Sequence, residues 1–269
     1  MDAIESKEFE GVELRRDGEL LWVTLDDPER ANALSPSMVA ALTEIYAADL
    51  RTEGIRSVVL HAAGKNFSAG ADLDHLARLR DAGLEENRQD SQRLRLLFES
   101  VLRQETLTLA LVQGACVAGG CGLATAHDFV VAAADARFMY SEVRIGFVAA
   151  LVATFLPLRV RGADMRELLL NPDFVGAERA LELGLANRVV PADDLSATGR
   201  NLAIQILERA SSESIARTKR LLLQVMGVPL AEALEWAAEA NAAARQTEDC
   251  RRGIDTFLET KALPDWRKS

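Results

Sequence analysis

Short runs of alternating apolar and polar residues near the start of the chain predict a β-hairpin. Residues 12–15 (VELR) and 20–25 (LLWVTL) form two such runs, and the turn residues 16–18 (RDG) separate them. Alternation of this kind is typical of strands, and a glycine-containing turn between two runs is typical of a hairpin. Residues 57–61 (SVVLH) form a compact apolar run, which predicts a buried strand.

Apolar residues at helical spacing follow Ser35 and Pro36, which predicts a helix that begins there. Serine is a preferred N-cap residue, and the fixed φ of proline suits the first helical position. The apolar positions of this helix are Met38, Leu42, Ile45 and Tyr46. The polar segment 74–105 also predicts helix, with an interruption at Gly83.

A second unit with the same order of elements begins near Thr108. Residues 109–112 (LALV) predict a strand, residues 114–122 a glycine-rich turn, and residues 123–126 a short helix. Residues 129–133 (FVVAA) predict another buried strand. The pattern therefore indicates an α/β core built from strand–turn–helix units.

From about Glu178 the composition shifts to alanine, leucine, glutamate and arginine, which favours helices. Residues 188–190 (RVV) are the one short strand candidate in this region. We therefore predict an α/β core over residues 1–190 and a helical region over residues 191–269.

Composition and charge narrow the class of protein. The chain has 269 residues, of which 49% are hydrophobic and 27% charged, as in globular proteins. The N-terminal segment lacks the apolar stretch of a secretory signal, no apolar run is long enough to span a membrane, and the three cysteines form no CxxC pair. We expect a cytoplasmic protein with reduced thiols.

The formal net charge of −10 argues against nucleic acid as a partner, because binding to phosphate backbones requires a basic surface. The same charge opposes any anionic small molecule. Such a ligand would need local basic residues and backbone NH groups to bind. The three histidines, His61, His75 and His127, show no metal-ligand spacing, so we expect no metal site.

Two glycine-rich turns, residues 67–73 (FSAGADL) and 117–123 (VAGGCGL), each lie between a predicted strand and a predicted helix. Small residues let the backbone approach a ligand, and the NH groups at a helix N-terminus favour an anion. Alternatively, the glycines only allow the chain to turn tightly. Neither turn matches the phosphate-binding pattern GxxxxGK[ST] or the spacing GxGxxG.

Taken together and in order, these turns and several other segments resemble the enoyl-CoA hydratase/isomerase (crotonase) superfamily. The resemblance covers nearly the whole chain. The segments that carry it are residues 32–35 (NALS), 68–73 (SAGADL), 118–124 (AGGCGLA) with Asp128, 141–147 (SEVRIGF), 177–180 (AERA), 184–191 (GLANRVVP) and 257–266 (FLETKALPDW).

The resemblance implies a crotonase-like spiral of ββα units with a helical C-terminal extension through which subunits associate as a homotrimer or a dimer of trimers. It implies an acyl-CoA thioester as substrate, bound with no further cofactor and converted through an enolate, as in fatty acid metabolism. The backbone NH groups of Ala71 and Gly119 match the two donors to the thioester oxygen. Donors fixed before the reaction stabilise the negative charge of an enolate most effectively.

The resemblance also implies positions for coenzyme A. Ala69 matches the position whose backbone meets the adenine, and Arg30 lies near the position of a basic residue beside the phosphates. Asp72 and Leu73 complete the CoA-binding turn. Asp72 also has a purely structural interpretation, as the N-cap of the helix that follows it.

Glu142 is the candidate acid–base residue, since it matches the second catalytic glutamate of the family. Its sequence neighbours Phe138, Met139, Tyr140, Val143 and Ile145 are apolar, a setting that raises the pKa of a carboxyl group. Such a group can take a proton and return it. The alternative is a glutamate on a solvated helix face.

One departure from the family pattern bears on the reaction. Hydratases of the family carry a first glutamate where this chain has Gly122. In addition, Ala150 stands where dienoyl isomerases and aryl-CoA dehalogenases place an aspartate, so the resemblance gives neither of those reactions support. If the pocket has room for the side chain, we expect Gly122→Glu to accelerate hydration.

Three functions are consistent with these residues. The first is an enoyl-CoA hydratase, which adds water to a 2-enoyl-CoA. The second is an enoyl-CoA isomerase, which needs only one base and so suits a single Glu142. The third is an acyl-CoA binding protein without catalysis.

Overall fold

The computed structural model describes residues 4–267. Its strands are β1 (Val12–Asp17), β2 (Leu20–Leu25), β3 (Ser57–Ala62), β4 (Leu107–Val112), β5 (Ala115–Val117), β6 (Phe129–Ala133), β7 (Arg137–Met139), β8 (Val175–Gly176) and β9 (Arg188–Val190). Its α-helices are α1 (Pro36–Ala47), α2 (Leu73–Arg80), α3 (Leu84–Arg103), α4 (Gly119–Thr125), α5 (Ala150–Phe155), α6 (Gly162–Leu170), α7 (Ala177–Leu183), α8 (Leu195–Arg209), α9 (Ser212–Gln224), α10 (Leu230–Ala244) and α11 (Glu248–Thr260).

The strands form two sheets. The larger has the order β1-β2-β3-β4-β6-β9 and the smaller has the order β5-β7-β8. The β1–β2 pair is the antiparallel hairpin that the sequence predicts, while β2, β3, β4, β6 and β9 run parallel to one another. Because parallel strands need crossover connections, the helices between them lie on the faces of the sheet.

Alternate side chains of the central strands enter two separate apolar cores. Leu21 and Val23 of β2 join the larger core beneath α1, α3 and α4, whereas Leu20 and Trp22 join a second core beneath α8. The same alternation continues through β3 and β4. Burial on both faces explains why these strands are nearly continuous apolar runs in the sequence.

The predicted start of α1 is confirmed. The Ser35 hydroxyl accepts a hydrogen bond from the Met38 amide at 3.2 Å, and Pro36 occupies the first helical position. The polar segment after Asp72 folds into α2 and α3, with Gly83 immediately before α3 as the predicted interruption.

The segment around the second glycine-rich turn differs from the prediction. Residues 115–117 form β5, and α4 begins at Gly119, four residues before the predicted helix. Glycine has a low helix propensity, so the pattern alone predicts a turn here. Strand β7, next to β5, carries no strand signal long enough to be recognised.

The C-terminal helices are attached to the core as well as to one another. Helix α8 covers one face of the larger sheet with Leu195, Leu202 and Leu207. From α9, Lys219 donates to Asp128 at 2.6 Å. Residues 1–3 and 268–269 of the two predicted regions lie outside the described residues. None of the helices within residues 4–267 combines the length and apolarity that crossing a membrane requires.

Candidate active site

Three chain segments run side by side and end at the same edge. Ser68 forms a parallel bridge with Cys116, and Cys116 in turn pairs in parallel with Phe138 of β7. The Val117 amide donates to the Ser68 carbonyl at 2.9 Å, and the Ala118 amide donates to the Met139 carbonyl at 2.8 Å. The residues that follow each segment are therefore delivered to one place.

The residues delivered there include all three predicted catalytic positions. Ala71 follows Ser68 by three positions, Gly119 follows Cys116 by three, and Glu142 follows Phe138 by four. Ligands of α/β proteins bind at the carboxyl ends of parallel strands, where such loops converge. The structure thus brings together two glycine-rich turns and one carboxylate that lie far apart in sequence.

The two predicted donor amides are free. Among residues 4–267, neither the Ala71 NH nor the Gly119 NH donates a hydrogen bond. Gly119 is the first residue of α4, where the NH groups of a helix have no partner within the helix. The Ala71 residue is exposed, so its backbone is accessible to a ligand. Two unpaired NH groups at adjoining turns form a suitable site for an oxygen that becomes negatively charged.

The first turn is held against the second by close contacts. Gly70 has a φ of +87°, and a Cβ atom on it would lie 2.8 Å from the Val117 carbonyl oxygen. Only glycine fits this position without displacing the other turn. The Ser68 hydroxyl donates to the Asn32 carbonyl at 2.8 Å and accepts from the Gly70 amide at 3.1 Å. These contacts fix the peptide that carries the Ala71 NH.

The second turn contains a strained residue. Ala118 has φ 47° and ψ −117°, in a region that residues with a Cβ atom rarely adopt. Strain of this kind costs of the order of 1–3 kcal/mol and persists only where surrounding contacts hold it. Here the hydrogen bonds of the Val117 and Ala118 amides hold it, and the chain turns sharply so that α4 starts at Gly119.

Glu142 begins a short 3-10 helix, Glu142–Ile145, directly after β7. Its side chain is partly buried, and its Oε2 atom is buried without a hydrogen-bond partner. The preceding residues Phe138 and Tyr140 are fully buried, whereas Ile145 is 73% exposed. The apolar surroundings of the carboxylate therefore come from the buried side of the loop and not from every sequence neighbour.

Burial raises the pKa of Glu142 above the ordinary glutamate value of 4.5, and a hydrogen bond with its own backbone amide acts in the opposite direction. The direction agrees with the expectation from the sequence. A buried carboxylate oxygen without a partner is a group that a substrate or a water molecule can satisfy. Glu142 thus has the partly buried carboxylate and the raised pKa expected of a proton-transfer group.

Gly122 is surrounded by apolar side chains. A Cβ atom on it would lie 2.7 Å from Cζ of Phe98 and 2.8 Å from Cγ2 of Val152. Both side chains are buried, and the Phe98 ring packs edge to face on Phe155 with a centroid distance of 5.5 Å. The condition for the expected gain from Gly122→Glu is therefore not met, because the pocket has no room for a longer side chain.

Two of the predicted CoA-binding residues, Arg30 and Asp72, help to line a cavity of about 450 Å³ together with Asp74. Arg30 is paired with Asp72 at 2.9 Å and with Asp74 at 3.0 Å. Asp72 also caps α2 by accepting from the His75 amide at 2.8 Å. The N-cap role of Asp72 is therefore present, and a phosphate would compete with two carboxylates for Arg30.

The other two predicted positions are accessible. Ala69 is exposed, and its amide donates to the Ala31 carbonyl at 2.9 Å. Leu73 is 79% exposed at the start of α2. Both stay predicted positions for coenzyme A.

The structure also shows the surroundings of the histidine and cysteine side chains near the second glycine-rich turn, and of two residues that the sequence did not indicate. His127 is buried, accepts from or donates to the Tyr46 hydroxyl at 2.7 Å, and has a pKa lowered by burial to about 3. Cys121 is buried, with its sulfur against the Cys116 carbonyl. Within residues 4–267 no group of His, Cys, Asp and Glu side chains is arranged to hold a metal ion. Phe98 and Val152 were not recognised, because nothing in the sequence relates them to Gly122.

Known proteins resemble this chain over most of its length. The sequence profile of the family described as enoyl-CoA hydratase/isomerase matches residues 15–269. A Thermus thermophilus protein, named provisionally as an enoyl-CoA hydratase, is 43% identical over 245 residues, which cover 91% of this chain and 96% of that protein. The (E)-benzylidenesuccinyl-CoA hydratase of Thauera aromatica is 30% identical over 253 residues, 93% of this chain and 97% of its own.

A solved structure confirms the fold class. The crystal structure of enoyl-CoA hydratase from Mycobacterium smegmatis matches with a TM-score of 0.88 at 29% identity, covering 96% of this chain and 99% of that one. The α/β fold that the sequence resemblance implied is therefore correct.

Proposed function

This chain belongs to the enoyl-CoA hydratase/isomerase family, and from that membership we propose that it is an enoyl-CoA hydratase in which Glu142 is the single acid–base residue. The observation that carries the proposal is the meeting of two unpaired backbone NH groups with a partly buried carboxylate whose Oε2 atom has no partner. This combination suits a reaction that creates an enolate and moves one proton.

The thioester oxygen accepts hydrogen bonds from the Ala71 and Gly119 amides. As the reaction proceeds, electrons of the carbon–carbon double bond move toward this oxygen, and its negative charge grows. The two NH groups then bind it more strongly than they bind the neutral carbonyl, which lowers the barrier. Both donors belong to the backbone of locked turns, so they need not reorganise during the reaction.

Glu142 handles the proton. Its carboxylate takes a proton from water while the water oxygen bonds to the β-carbon of the 2-enoyl thioester. The protonated Glu142 then gives that proton to the α-carbon, which collapses the enolate and restores the carboxylate. Water is added across the double bond, and the residue ends the cycle as it began. The raised pKa of Glu142 favours the second step, because it makes the protonated form easier to reach than in an ordinary glutamate.

Water addition is supported by what similar proteins are named. Both the Thermus thermophilus and the Thauera aromatica relatives carry hydratase names. The proposal extends that reaction type to this chain.

A second candidate, enoyl-CoA isomerisation, is favoured by the surroundings of Gly122. The nearest side chains to Gly122, Phe98 and Val152, are apolar and offer no hydrogen bond to a water molecule. An isomerase needs only Glu142, which takes a proton from the α-carbon of a 3-enoyl thioester and returns it to the γ-carbon. The same oxyanion donors stabilise the intermediate dienolate.

The two reactions are distinguished with crotonyl-CoA and a 3-enoyl-CoA such as trans-3-hexenoyl-CoA. We expect the enzyme to remove the absorbance of the conjugated enoyl thioester of crotonyl-CoA, because hydration destroys the conjugation. Formation of conjugated absorbance from the 3-enoyl substrate without hydration of crotonyl-CoA would assign the isomerase. If neither signal changes although calorimetry detects acyl-CoA binding, the protein is a binder and the proposed reaction is wrong.

Coenzyme A recognition is part of the proposal. We place the adenine at the backbone of Ala69, the phosphates near Arg30, and the pantetheine arm along the turn that holds Asp72 and Leu73. For the overall charge of −10 to be overcome, Arg30 must exchange part of its pairing with Asp72 and Asp74 for phosphate.

The proposed assembly is a homotrimer or a dimer of trimers. Helices α10 and α11 bury no residue within the described chain. They and the segment that follows expose large apolar side chains at Leu230, Leu234, Ile254, Phe257, Leu258 and Leu263. An apolar surface of this extent is typical of an interface between subunits.

Light scattering coupled to size exclusion tests the assembly. We expect a mass of about three or six times the chain mass of 29.3 kDa. The double variant Leu234→Glu/Leu258→Glu is expected to lower that mass, while Leu84→Glu, an exposed leucine at the start of α3, serves as the matched control and leaves it unchanged. A wild-type monomer of 29.3 kDa would refute the assembly.

A further inference from the structure

Helices α3 and α5 meet over α4 at Gly122, one helical turn after the Gly119 donor. Residues three positions apart lie on the same face of a helix, so Gly122 and Gly119 share a face of α4. Phe98 from α3 and Val152 from α5, each only 3% exposed, cover this face at Gly122, whereas the nearest side chain at Gly119 is Leu34. Val152 also lies ten residues after Glu142, on the helix that follows its loop.

The covering is tight enough to exclude any side chain at residue 122. The distances of 2.7 Å to Phe98 and 2.8 Å to Val152 are shorter than contacts of real Cβ atoms. Phe98 is supported from behind by Phe155, so the ring is not free to move aside. The side chains of Phe98 and Val152 themselves offer neither a hydrogen-bond donor nor an acceptor.

We propose that Phe98 and Val152 are specificity-determining residues that restrict proton transfer in this site to Glu142 and exclude water from the α4 face. The inference rests on the proposed function and deepens it. Because the wall formed by Phe98 and Val152 is apolar, water reaches the reacting carbons only beside the Glu142 carboxylate. The balance between hydration and isomerisation is therefore set by this wall as well as by the catalytic carboxylate.

The first test changes the polarity of the wall and keeps its shape. Val152→Thr replaces a methyl group by a hydroxyl of similar size, which can hold water at the α4 face. One added hydrogen bond changes a rate by roughly 2- to 10-fold. We expect the ratio of trans-2-hexenoyl-CoA hydration to trans-3-hexenoyl-CoA isomerisation, each as kcat/KM, to rise by that factor.

Val131→Thr is the matched control for this variant. Val131 is equally buried, but it belongs to the core beneath α8 on the opposite face of the larger sheet. A general loss of stability lowers both rates in either variant and leaves the ratio unchanged. Only a change at the wall formed by Phe98 and Val152 shifts the ratio of hydration to isomerisation.

The second test opens the wall. Gly122→Glu alone is expected to lose activity and to lower the melting temperature by roughly 5 °C, because its side chain overlaps Phe98. In the double variant Phe98→Ala/Gly122→Glu, the aromatic ring is removed and the second carboxylate gains space on the α3 side, while Val152 still limits the α5 side. Its hydration rate is expected to exceed that of Phe98→Ala/Gly122→Gln by about tenfold or more, since the amide has the same shape but transfers no proton.

The outcomes separate the inference from the proposed function. Wild-type enzyme that neither hydrates nor isomerises overturns both. Active wild type with an unchanged ratio in Val152→Thr overturns the inference alone, and this milder variant decides the question if the double variants do not fold. Equal hydration by the glutamate and glutamine double variants, both folded by circular dichroism, overturns it as well.

Discussion

Glu142→Gln is expected to lower kcat by about 10²- to 10⁴-fold, the usual contribution of a general acid–base group. The amide has nearly the shape of the carboxyl group but neither accepts nor returns the substrate proton. The loss is measured by steady-state kinetics on the substrate that the assays with crotonyl-CoA and the 3-enoyl-CoA identify. Acyl-CoA affinity, measured by calorimetry, is expected to stay within about a factor of ten, because the amide removes proton transfer without removing the oxyanion donors.

Glu178→Gln is the control for this variant, since Glu178 is an exposed glutamate at the start of α7. It is expected to behave as wild type. A Glu142→Gln enzyme with near-normal kcat would remove Glu142 from the mechanism.

The raised pKa of Glu142 also determines how activity and stability depend on pH. As a base, Glu142 must be ionised, so kcat/KM is expected to fall with decreasing pH through a pKa above 4.5. Stability has the opposite dependence: the folded state binds this proton more tightly than the unfolded state, so ionisation destabilises the fold as pH rises through the raised pKa. Glu142→Gln should therefore melt at the same temperature as wild type or higher at neutral pH, as thermal denaturation can show.

Gly119→Pro is expected to lower kcat by about 10²- to 10³-fold, which is the effect of removing one oxyanion donor. Proline has no NH group, and its fixed φ suits the first position of α4. The variant thus deletes the proposed donor at the first helical position, and because proline also restricts the strained Ala118 before it, the fold of the variant must be verified. The measurement is kcat on the same substrate, with circular dichroism to verify the fold.

Gly119→Ala separates loss of the donor from loss of space. Its Cβ atom would lie 3.3 Å from Cδ1 of Leu34, a contact that proline shares, but alanine keeps the NH group. We expect Gly119→Ala to retain most of the activity. Equal losses in the alanine and proline variants would show that the space at residue 119 matters and that its NH group does not.

Much of the fold follows from local pattern. Strands β2, β3, β4 and β6 are buried on both faces, so they appear in the sequence as compact apolar runs. Helix α1 is recognisable because Ser35 and Pro36 satisfy its first turn. Strand β7 is not recognisable, because a strand of three residues owes its existence to pairing with β5 and β8.

The candidate site, too, is predictable from the sequence in part and depends on the tertiary structure for the rest. The order of motifs along the chain predicts Glu142, Ala71 and Gly119 as site residues, and their positions are consistent with a shared site because parallel segments end together. The raised pKa of Glu142 is expected from its apolar sequence neighbours, yet two of these, Val143 and Ile145, are exposed to solvent. Burial in the folded chain, and not composition of the neighbouring sequence, is what raises that pKa.

By itself, the sequence determined the α/β core, the two glycine-rich turns and the presence of one carboxylate without a second acid at Gly122. Only the tertiary structure decided that Gly122 has no free space, because Phe98 and Val152 come from helices distant in the chain. It also decided that Arg30 is paired with Asp72 and Asp74. Local propensities depend on adjacent residues, whereas space and ion pairing depend on which distant residues the fold brings into contact.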